Sequence, residues 1–110
     1  MVSAMSKQSI VRYSGTFRFR DRPVLDRVLA TARTHIDDGT DVAALDGGWL
    51  RGFSVRESTL SVNVAMPAFD EHRFAAAEVF AVLSRDALEG SVIATIDDVP
   101  VEYYSVSPWR

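Results

Sequence analysis

Two short stretches, His35-Ile36-Asp37-Asp38 and Asp70-Glu71-His72, hold both histidines of the chain, each beside carboxylates. Two imidazoles with one or two carboxylates can ligate zinc or manganese, or hold iron(II) through a two-histidine, one-carboxylate facial set. The candidate ligands are His35, His72, Asp38 and Asp70. The spacing does not help them, because compact metal sites draw ligands from patterns such as H-x-x-x-H, which is absent. General acid–base work by the same groups would need a dry cleft to shift a pKa, whereas helix ends and loops are wet. His72 also has an ordinary reading as a surface residue in a first helical turn.

Whether these stretches meet depends on the elements that carry them. Residues 10–19 alternate, with Val11, Tyr13, Phe17 and Phe19 on one side and Arg12, Ser14, Thr16 and Arg18 on the other, which predicts a half-buried strand. Asp21 then caps a helix with Pro23 in its first turn, and Val24, Leu25, Val28, Leu29, Ala32 and Ile36 form its inner stripe as far as Asp37-Asp38-Gly39. Residues 39–48 read as a loop with one helical turn at 42–45. Phe53 and Val55, then Leu60, Val62, Val64 and Met66, predict a hairpin turning near Arg56 to Thr59.

A second helix is expected from Glu71 to Leu88, with Asp70 as N-cap, Phe69 and Phe74 as a hydrophobic staple, and Gly90 as its stop. Its apolar arc through Ala75, Ala76, Ala77, Val79, Phe80, Ala81, Val82 and Leu83 is wider than one sheet face covers. Residues 91–107 are β-prone, with a turn or bulge at Asp97-Asp98, and make either a hairpin or one long bent strand. The order β-α-β-β-α-β, with an optional final strand, packs most simply as an α+β fold of ferredoxin-like topology: an antiparallel sheet with both helices on one face. In that arrangement the end of the first helix and the start of the second share a pole, which brings His35 and Asp38 near Asp70 and His72.

The domain spans 10–107, after a flexible N-terminus at 1–9. With 110 residues a second domain does not fit. The chain has no cysteine, which excludes disulfides, thiolate nucleophiles and cysteine-based zinc or iron–sulfur sites and is compatible with a reducing compartment. With no signal-peptide layout in residues 1–9, a cytoplasmic protein is expected, and no cofactor. No apolar run is long enough for a membrane span. Net charge is −3, so general attraction to nucleic acid or an anionic membrane is not expected. The sheet face away from the helices is polar and lacks the exposed aromatics of base-stacking sheets, which makes nucleic-acid binding unlikely. The stretch 37–48 has four aspartates, yet Val42 and Gly48 stand where a calcium-binding EF-hand loop requires Gly and Glu.

Acidic turns gather at one pole of this fold and Arg18, Arg20, Arg22, Arg56 and Arg85 at the other. Turns want Asp and surface strands tolerate Arg, so this asymmetry has an ordinary reading as solvated surface. The wide apolar arc of the second helix and an optional final edge strand with Tyr103 and Tyr104 instead favour a small non-catalytic binding or assembly module that acts through protein–protein interaction as a homodimer. Arg18, Arg20, Arg56, Tyr103 and Tyr104 are its candidate partner-binding residues. The alternative is a small-molecule or metal-dependent enzyme using the His35/His72 pole.

Overall fold

The computed structural model describes residues 9–36 and 52–106. In chain order the elements are β1 (Ile10–Arg18), α1 (Arg22–Ile36), β2 (Phe53–Arg56), β3 (Thr59–Pro67), α2 (Asp70–Asp86), β4 (Glu89–Ile96) and β5 (Val99–Ser105). All five strands join one antiparallel sheet, in the order β2-β3-β1-β4-β5. The fold is thus α+β, with an element order that adds a fifth strand to β-α-β-β-α-β. Among the described residues, no helix is long and apolar enough to cross a membrane.

The period-two pattern sets the faces. Val11, Tyr13 and Phe17 of β1, Leu60, Val62, Val64 and Met66 of β3, and Val92 and Ala94 of β4 are buried in one core with Leu25, Val28 and Ala32 of α1 and Ala76, Val79, Phe80 and Leu83 of α2. No polar or charged residue is fully buried among the described residues. Ala75 and Val82 extend the buried arc of α2 sideways, and α1 packs along α2. The neighbouring helix thus absorbs the apolar width that the sheet alone leaves over.

Close strand approach in the middle of the sheet depends on glycine. Gly15, with φ 154°, sits between Val62 and Val92, and a Cβ there would collide with the Ser91 carbonyl. Gly90 makes the reciprocal approach, its missing Cβ facing the Thr16 carbonyl from β4. Gly90 is therefore not the stop of α2: that helix ends at Asp86, where Ala87 turns extended.

The start of α1 follows the sequence, since the Asp21 carboxylate accepts a hydrogen bond from the Val24 N–H at 3.0 Å. The start of α2 does not. Phe69 occupies the N-cap position, no side chain caps the helix, and Asp70 is already helical. This shift of one residue dissolves the expected staple. Phe74 is 71% exposed, and Phe69 instead lies against the His72 ring, with centroids 5.2 Å apart.

The β-prone tail is a hairpin rather than one bent strand. Asp97 and Asp98 form its two-residue turn, both left-handed with φ 54° and 66°. Beyond it the pairing slips between Ala94 and Thr95: Ala94 faces Glu102 and Thr95 faces Pro100, so Val101 is the extra residue of a bulge.

Candidate functional site

The pairing of Arg18 with Thr59 and Glu89 fixes one end of the molecule, and the pairing of Ile10 with Pro67 and Val11 with Ile96 fixes the other. Helix α1 starts beside Arg18 and α2 finishes there, as the Leu88 N–H bond to the Arg18 carbonyl at 2.8 Å shows. The last turn of α1 and the first turn of α2 therefore share the opposite end. His35 falls in the former, and Asp70 and His72 in the latter. Asp38 lies outside the described residues, as do Asp37, Asp41, Asp46 and Trp49. Among the described residues no three His, Asp or Glu side chains form a metal-holding group.

His72 has work inside its own turn. Its Nδ1 lies 2.7 Å from the Pro67 carbonyl oxygen. A carbonyl only accepts, so Nδ1 carries the hydrogen, and in the neutral ring Nε2 is left as the acceptor. The imidazole thereby ties the end of β3 to the start of α2, where no side-chain cap does so.

The candidate partner-binding residues divide between surfaces. Arg56, Thr59 and Arg18 stand opposite one another across β2, β3 and β1 on the open sheet face. Tyr103 pairs with Ile93 and reaches the same face on the outermost strand. Tyr104 pairs with buried Val92 and points the other way, toward the helices. The arginines of that end are not a bare cationic patch, because Arg18 is bridged to Glu89, Arg20 to Asp21 at 3.6 Å and Arg22 to Asp26 at 2.9 Å.

The most connected polar group lies where α2 meets β5. Arg73 Nη2 donates to Glu102 Oε2 at 3.1 Å, and the Tyr104 hydroxyl donates to Glu102 Oε1 at 3.0 Å, so both oxygens of one carboxylate are engaged. Beneath them is an aromatic floor in which Phe80 lies 5.1 Å from the Tyr13 ring, 5.6 Å from Tyr104 and 6.4 Å from Phe53. Burial, and then the charge of Glu102, push the Tyr13 hydroxyl up to about 12 against the opposing pull of Arg73. Tyr104 is also raised, by burial first and then by its hydrogen bond to Glu102 and the charge of that group.

Both phenols therefore stay protonated near neutral pH and act as donors or apolar packing. Glu102 is an acceptor with one oxygen on a guanidinium and the other on a hydroxyl. This chemistry fastens a strand to a helix. Sequence reasoning missed Arg73, Glu102 and Tyr13 because the ion pair joins residues 29 apart in different elements. The one available signal was that Glu102 shares the period-two face of Tyr104. No family model, curated protein or solved structure matches this chain.

Proposed function

We propose that this chain is a small cytoplasmic binding or assembly module that acts through protein–protein contact as a homodimer, with β5 as its contacting strand. Its core unit reads as ferredoxin-like, β1 to β4 with two helices, and β5 is appended as a new edge. The observation that carries the proposal is exposed apolar surface on that edge: Val99 is 59% exposed, Val101 41% and Tyr103 65%. Phe69, Phe74 and Leu88 are exposed elsewhere, but three exposed apolar residues on one outermost strand are an aggregation hazard unless something covers them. The opposite edge, β2, is shorter, at four residues against seven. The absence of cysteine supports the cytoplasmic part of the reading.

Light scattering on the purified chain over a range of concentrations tests the proposal. The expected mass is twice that of the 12.2 kDa chain, falling toward it on dilution. A single-chain mass at every concentration would end the homodimer reading.

A further inference from the structure

We infer that two copies of this chain exchange their β5 strands. The Asp97–Asp98 turn opens, β4 and β5 run on as one strand, and β5 of each copy takes the place beside β4 of the other. This inference rests on the homodimer reading above and specifies how the dimer is built.

Three features of the β4–β5 hairpin converge on it. The first is the turn. Two-residue hairpin turns with both residues left-handed favour Asn-Gly or Asp-Gly, because glycine bears the left-handed conformation without steric cost. Here the second position is Asp98, so two adjacent non-glycine residues hold φ 54° and 66°. Opening the turn releases both to the extended region, where successive side chains point to opposite faces.

The second is that the vacated place fits a second copy by identity. Among the described residues, the ties of β5 to the rest of the fold are made to residues preceding the turn. The tie to β4 is the register from Ser91–Ser105 to Ile96–Val99, together with the Val106 N–H bond to the Gly90 carbonyl. The ties to α2 are the Arg73–Glu102 ion pair and the packing of Tyr104 on Phe80. All of them re-form between copies unchanged. The opened hinges would bring Asp97 and Asp98 of the two copies together, and Arg12, which lines the same shallow depression as these aspartates, supplies a cation there from each copy.

The third is that simple edge-to-edge pairing is poorly served. Because Val106 donates inward to Gly90, Tyr104 and Glu102 also face β4, which leaves Tyr103 and Ser105 to offer outward N–H groups. Pro100 has none. The exposed Val99 and Val101 stand just beyond the turn, beside the hinge at which exchanged copies cross.

The chain has no cysteine, so a single engineered pair reports the connection. Ser91 and Ser105 lie directly opposite each other on β4 and β5, and Ser91→Cys with Ser105→Cys places two thiols within disulfide reach. The variant is refolded at high concentration, oxidised, and run on denaturing gels without reductant beside light scattering of the native sample. Exchange predicts a native dimer that stays covalently linked on the gel. A native dimer whose disulfides close within single chains would overturn exchange and leave the homodimer standing, while a monomer would overturn both. In a second variant, Asp97→Asn with Asp98→Gly, the closed turn is favoured, and the dimer dissociation constant should rise roughly tenfold. An unchanged constant would count against the turn as hinge.

Discussion

β1 and β5 are both antiparallel strands of one sheet, yet they are held by different physics. β1 has a neighbour on each side, buries Val11, Tyr13 and Phe17 completely, and depends on glycine at the points where strands come closest. β5 has one neighbour, a bulge, an exposed apolar flank, and an ion pair to α2 as its fastening. Burial at the centre is close-packed and tolerates little change of shape. The edge has one ladder and a few polar contacts, which makes it less costly to open than β1. A module that assembles through its last strand needs this division.

The difference can be broken most severely at the centre. Gly15→Ala should cost about 4 kcal/mol or prevent folding, because it adds a Cβ against the β4 backbone at a φ that side chains rarely adopt. Urea denaturation reads this directly, and a loss below about 1 kcal/mol would mean that the strands approach less closely than described. At the edge, Arg73→Ala leaves the Glu102 carboxylate partly buried without its cation and should cost about 1–3 kcal/mol. Amide exchange should then quicken across β5 while β1 keeps its protection; uniform quickening would mean that the two strands open as one unit.

Alkaline pH separates the regions more gently. The Tyr13 hydroxyl titrates near 10 in the unfolded chain and near 12 in the fold, so the folded state holds its proton more tightly. Stability is full below pH 10 and falls as pH rises from 10 to 12, where the unfolded state ionises and the folded state resists. Tyr13→Phe should flatten part of that decline, leaving the share due to Tyr104. A profile identical to that of the unmodified chain would show that Tyr13 is not held in a low-dielectric site. The smallest effect belongs to the exposed ion pairs: Arg22→Ala and Glu89→Gln should each shift stability by less than about 0.5 kcal/mol, and less still in high salt.

Much of the centre could be read from residue order. The alternation of Val11, Tyr13 and Phe17 and of Leu60, Val62, Val64 and Met66 named the inner faces, because a sheet with one buried face leaves a period of two. Asp21 announced the start of α1, and Asp97-Asp98 the last turn. The start of α2 was displaced because local rules favour a carboxylate cap at Asp70, whereas the chain caps with Phe69 and lets His72 reach back to Pro67. Of the clasp of Arg73, Glu102 and Tyr104, only the shared period-two face of Glu102 and Tyr104 could be read; the tie to Arg73 could not. It requires α2 and β5 to be neighbours, and that is a property of the sheet order rather than of either segment.

The most direct measurement of the central claim, that β5 is the assembling strand, is sedimentation equilibrium of Val99→Lys with Val101→Lys beside the unmodified chain. Both substitutions fall on side chains already exposed to solvent, so the fold should survive them. The unmodified chain should be dimeric, and the double-lysine variant should have the mass of one chain at the same concentration. Equal masses, whether both monomeric or both dimeric, would contradict that claim.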